Sequence, residues 1–101
     1  MTVVARDISP IHPGKILKEE FLDPLGITAY RLAKETRVPQ DRVSNIVHGR
    51  CGVTADTALR FGRFFGVEPQ FWLNLQTRYD LEIAQEALGE TLAEAVPFRA
   101  A

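Results

Sequence analysis

The 101-residue sequence holds one cysteine, Cys51, and two histidines, His12 and His48. A single thiol closes no internal disulfide, and an unpaired cysteine suits a reducing cytoplasm. Two imidazoles fall short of a zinc ligand set. No apolar run approaches the roughly 18 residues of a membrane span. Residues 1–11 contain Arg6 and Asp7 but no apolar segment of the kind that marks a secretion signal. Internal repeats, low-complexity tracts and glycine-rich phosphate loops are missing too. Enzyme chemistry finds little to build on. His48 and Cys51 flank Gly49 and Arg50, but a thiolate nucleophile also needs an orienting third group in a pocket. Glu19 and Glu20 are sequence neighbours, so on a helix they diverge and make no acid–base pair. The sequence reads as a non-enzyme without catalytic residues, metal or cofactor.

Neither sign of charge dominates, with 12 basic and 13 acidic residues and a net charge of −1. The distribution is uneven. Residues 31–63 hold seven basic side chains against three acidic ones, a surplus of +4, while the rest of the chain holds five against ten. One segment thus carries an electrostatic footprint for phosphate, and the two ends do not. An apolar fraction of 46% is ordinary for one domain with its own core.

Turn and cap signals divide the chain into five helices and mark no strand within the domain. Residues 1–11 form an extended arm, in which Val3, Val4 and Ala5 make either a short edge strand or a loose tail. His12 precedes Pro13, which suits the first position of helix 1. That helix runs to about Asp23 with Ile16, Leu17, Phe21 and Leu25 inward, and Pro24 and Gly26 end it. Thr28 caps helix 2, about residues 29–36. Helix 3 runs from about Pro39 to His48, with Gly49 as its exit. Thr54 caps helix 4, which carries Asp56 in its first turn and stops at Gly66. Helix 5 runs from Pro69 to about Leu88. The domain is 12–89, followed by a tail at 90–101.

Helices 2 and 3 read as a helix-turn-helix at residues 29–48. Leu32 and Ala33 face inward, Val38 plugs the turn, and Val43 and Ile46 continue the inner face at i, i+3 spacing. Between them lie Gln40, Asp41, Arg42, Ser44 and Asn45, polar side chains of the kind that read base edges in a major groove. Gln40 suits adenine. Arg42 either pairs with guanine or reaches the DNA backbone. The alternative for each is a solvated surface side chain. Lys34 and Arg50 are phosphate contacts by position, and a phosphate at the helix 2 N-terminus would meet Thr28 and its free N–H groups. Arg60 and Arg63 read as surface or interhelical charges. Helix 5 has two apolar stripes. One is Phe71, Trp72, Leu75 and Tyr79, a core face. The other is Leu73, Leu81, Ala84 and Leu88, which a small domain does not need for its own core and which reads as a dimer interface.

Three segments, His12–Leu22, Gly52–Arg60 and Gln70–Leu81, resemble in order and spacing the HigA (VapI-like) family of antitoxins, within the Cro/C1-type (XRE) helix-turn-helix class. The resemblance covers about residues 10–84. It implies an all-α, five-helix lambda-repressor-like domain that forms a homodimer and binds a palindromic operator in double-stranded DNA. It also implies autorepression and neutralisation of a HigB-like toxin, a ribosome-dependent mRNA interferase. The acids Glu19, Glu20 and Asp23 on helix 1 are the surface expected to steer that basic partner. Two positions depart from the pattern. Arg37 occupies the turn where glycine is usual, and Pro39 replaces the hydroxyl cap of helix 3. Two other readings stand beside this one: a free-standing regulator without a toxin, and a protein-interaction module that does not bind DNA.

Overall fold

The structure is a computed structural model and describes residues 9–98. Most of the expected arm, with Val3, Val4 and Ala5, lies outside the described residues. The first helix, α1, starts where the sequence places it, at Pro13, and His12 Nδ1 accepts the Gly14 N–H at 2.9 Å. It has three consecutive stretches: α-helical Pro13–Ile16, π-helical Leu17–Leu22 and α-helical Asp23–Leu25. Pro24 explains the middle stretch. In a regular α-helix its ring would strike the carbonyl four residues earlier. The wider turn before it shifts the bonding by one residue, so that the Asp23 N–H meets the Lys18 carbonyl. The inward face shifts with it. Leu17 and Leu22 are buried, whereas Leu25, expected inward, is 60% exposed.

Five further helices follow: α2 Ala29–Thr36, α3 Gln40–Val47, α4 Ala55–Phe65, α5 Pro69–Leu88 and the short α6 Glu90–Ala93. The expected tail at 90–101 therefore begins with a single helical turn that the sequence reading did not include. The described residues contain no strand, and the all-α expectation holds. Thr28 and Thr54 cap α2 and α4 by accepting the N–H groups of Arg31 and Thr57.

Four helices end in the same left-handed turn. Its residue is Gly26 after α1, Arg37 after α2, Gly49 after α3 and Gly66 after α4, with φ of 68°, 59°, 74° and 72°. In each case the next N–H returns to the carbonyl five residues back: Ile27 to Leu22, Val38 to Ala33, Arg50 to Asn45, Val67 to Gly62. Arginine takes this conformation at a cost of roughly 1–2 kcal/mol.

The core forms where α5 packs on α1 and α4, with α2 against α4 and α3 against α1. Trp72 is fully buried and touches Phe21, Phe61, Phe65 and Phe71 at ring-centroid distances of 5.0, 5.5, 6.0 and 5.2 Å. Truncating such a residue to alanine costs about 3–5 kcal/mol. Gly14 lets α1 press against the end of α3, since a Cβ there would overlap the Ile46 carbonyl. The distal part of α5 leaves the core. From Asp80 to Phe98 every residue except Glu82 is exposed.

Candidate nucleic-acid interface

The α2–turn–α3 unit packs as its spacing demands. Leu32, Ala33, Val38, Val43 and Ile46 are buried together, so the opposite face of α3 is held outward on a rigid support. On that face Gln40, Asp41 and Arg42 are exposed, and Ser44 and Asn45 are half-buried. Pro39 stands in the cap position, as the sequence suggests. It is the N-cap, with φ −53° and ψ 140°, and its carbonyl takes the N–H groups of Arg42 and Val43 at 3.0 and 3.1 Å. No side chain caps α3.

The exit turn of α3 folds back onto the same face. The backbone N–H of Arg50 donates to the Asn45 carbonyl at 2.7 Å, and the Arg50 guanidinium donates to Asn45 Oδ1 at 3.3 Å. His48 Nδ1 lies 2.8 Å from the Ser44 carbonyl. A carbonyl only accepts, so Nδ1 carries the proton there. The sequence suggests a phosphate contact for Arg50 and a surface turn for His48, and does not place the Arg50 side chain on Asn45. The glycine exit at Gly49, which turns the chain back between Asn45 and Arg50, is the local signal that could have found it.

Charge pairing separates the segments sharply. Outside residues 31–63 all three described cations are in ion pairs: Lys15 with Glu19 at 2.9 Å, Lys18 with Asp23 at 2.8 Å, and Arg78 with Glu82 at 3.5 Å. Inside the segment only Arg60 is paired, with Asp56 at 2.7 Å. Arg31, Lys34, Arg37, Arg42, Arg50 and Arg63 have no acidic partner among the described residues. Arg60 also donates to the Thr36 carbonyl at 2.9 Å, tying α4 to the end of α2, which matches its reading as an interhelical charge. Thr28 is exposed, and its Oγ1 accepts the Arg31 N–H at 3.0 Å, leaving the hydroxyl proton free to donate outward.

The remaining sequence-predicted residues are scattered. Of the α1 acids, Glu19 and Asp23 are ion-paired, and Glu20 is exposed without an ionic partner among the described residues. On α5, Leu81, Ala84 and Leu88 are exposed, whereas Leu73 is half-buried against the core and stands apart from them. His12, which the sequence places just before helix 1 and which falls short of a metal site there, is a structural hub. It caps α1, stacks edge-on with Tyr79 at 4.8 Å and bonds to the Cys51 backbone. Burial pushes its pKa down, against the opposing pull of the Cys51 bond and the Asp80 charge. The described residues contain no cluster of three potential metal ligands, and no helix among them is long and apolar enough to cross a membrane.

No family model matches the chain. Its relatives are nevertheless clear. It is 50% identical over 80 residues to virulence-associated protein I of Dichelobacter nodosus, an alignment covering 79% of this chain and 74% of that one. It superposes with a TM-score of 0.85 on an addiction module antidote protein of the HigA family from Coxiella burnetii, at 44% identity, covering 90% of this chain and all of the other. It superposes equally well, again with a TM-score of 0.85, on the Pseudomonas aeruginosa antitoxin HigA solved with the higBA promoter, at 42% identity over 89% of this chain and 99% of that one. At this identity across nearly whole chains, with the helix-turn-helix intact, the chain belongs to the HigA family of helix-turn-helix antitoxins.

Proposed function

We propose that this protein is a sequence-specific DNA-binding antitoxin that represses its own operon and neutralises a HigB-like mRNA interferase in the cytoplasm. One observation carries the DNA half: six cations of residues 31–63, the segment that contains α3, have no acidic partner among the described residues, while every described cation outside that segment is paired. Unpaired Lys and Arg exchange condensed counterions for phosphate contacts at little internal cost. The Pseudomonas relative solved with its promoter supports the same reading.

In this reading Gln40, Asp41, Ser44 and Asn45 face base edges. Thr28, Lys34 and Arg50 meet phosphates, and Arg42 meets either. A homodimer sets two copies of α3 in successive major grooves of a palindromic operator, about 34 Å apart. The exposed Leu81, Ala84 and Leu88 on the projecting part of α5 supply its apolar contact. Glu20, with its ion-paired neighbours Glu19 and Asp23, gives α1 an acidic surplus that attracts a basic toxin while leaving α3 free.

The test is a two-part assay in cells. The chain is expressed beside a reporter driven by the DNA upstream of its own gene, and separately beside the product of the adjacent open reading frame. The reading requires repression of the reporter and rescue of growth from the neighbour's toxicity. Rescue without repression removes the DNA half, and repression without rescue leaves a free-standing regulator.

A further inference from the structure

The reading face of α3 is not completed by α3 alone. A terminal amide rotates broadly about its last torsion, and an unrestrained asparagine offers either its donor or its acceptor end to a base. Asn45 is restrained. Arg50 has only donors, so its 3.3 Å contact selects Oδ1 and leaves the Nδ2 hydrogens facing away from the exit turn. The Arg50 N–H on the Asn45 carbonyl at 2.7 Å fixes the backbone that carries the guanidinium. Among the described residues Arg50 makes no ion pair, so no carboxylate competes for the fork.

From these contacts we infer that Arg50 is a specificity-positioning residue. It holds the Asn45 amide in one sense, ready for the major-groove edge of an adenine. Oδ1 has two lone pairs, one of them used by Arg50. The other accepts from adenine N6 while Nδ2 donates to N7, the bidentate match that asparagine makes with adenine. The flipped amide would set donor against donor. Fixing the orientation before binding removes that alternative and its ordering cost. This rests on the proposed DNA-binding reading and changes one part of it, the role of Arg50 as a phosphate contact alone.

The test compares binding to the duplex upstream of the protein's own gene with binding to a shuffled duplex of the same composition, then to a panel of single base-pair substitutions across each half-site. Arg50 is exposed and lies outside the helices, and unchanged circular dichroism checks the fold of each variant. Asn45→Ala should lower discrimination at one A·T pair per half-site by at least about fivefold, the low end for one lost bidentate contact. Arg50→Ala should lose discrimination at the same pair, and Arg50→Lys should keep affinity for the shuffled duplex without restoring it. In the Asn45→Ala background, removing Arg50 should change discrimination there by less than about twofold. Full discrimination in Arg50→Ala, with affinity falling equally for both duplexes, overturns the inference and leaves a phosphate contact. A G·C optimum at the pair, or unchanged discrimination in Asn45→Ala, overturns it while DNA binding stands. A wild-type protein that does not distinguish the two duplexes overturns the functional reading itself.

Discussion

The side-chain carbonyl of Gln76, on α5, accepts a 2.7 Å hydrogen bond from the backbone N–H of Val53, 23 residues earlier. This bond anchors the segment between α3 and α4 to the longest helix, and Gly52 beside it leaves the amide just enough room. Val53 is buried, so removing the acceptor strands its N–H away from water. Gln76→Ala should therefore cost about 1–3 kcal/mol, read as a lower urea midpoint, with faster hydrogen exchange at the Val53 amide. An unchanged midpoint would mean that water satisfies the N–H as well.

Arg37 sits in the left-handed turn that glycine fills after α1, α3 and α4. Arg37→Gly relieves roughly 1–2 kcal/mol of strain and gives back part of it, about 0.5–1 kcal/mol, in chain entropy. The net expectation is a modest gain in stability, measured by urea denaturation. A loss would show that the arginine side chain makes up for its backbone.

How far the sequence foretold this structure depends on the range of each interaction. The cap at Thr28, the inner face from Leu32 to Ile46 and the glycine exits are local signals, and they appear where expected. Leu25 misled because the i, i+4 series from Leu17 through Phe21 assumes an unbroken α-helix, and the π stretch before Pro24 rotates everything after it. Leu73 misled because one residue on α5 can touch the core from a stripe that is otherwise exposed. The bonds from Arg50 to Asn45, Arg60 to Thr36 and Gln76 to Val53 depend on how turns bring side chains together, and no periodicity encodes that.

His12 should make stability fall in mild acid. Its Nδ1 must be unprotonated to accept the Gly14 N–H, and burial holds its folded-state pKa below the ordinary 6.5. The unfolded chain therefore binds the proton first as pH drops. The contribution is intact above about 6.5 and declines as pH falls through the interval below it. His12→Asn keeps a cap acceptor without titrating, so its unfolding midpoint should fall less steeply over that interval. Superimposable acid profiles would assign the loss to other groups.

Leu81 and Leu88 are 60% and 45% exposed on a part of α5 where, among the described residues, all but Glu82 are exposed. Leu81→Glu combined with Leu88→Glu should preserve the helical circular dichroism signal and sediment as a monomer. A dimer of the double variant would place the interface elsewhere on the chain.

The central claim is that the outer face of α3 reads DNA sequence while unpaired cations of residues 31–63 hold the phosphates. The most direct test is a fluorescence anisotropy titration of the upstream duplex and its shuffled counterpart over a series of salt concentrations. Wild-type protein should prefer the upstream duplex, and Gln40→Ala with Asn45→Ala should bind both duplexes equally. Lys34→Ala should weaken both alike and reduce the salt slope by about one. A Gln40/Asn45 double variant that keeps its full preference for the upstream duplex would contradict the account, because sequence would then be read by something other than α3.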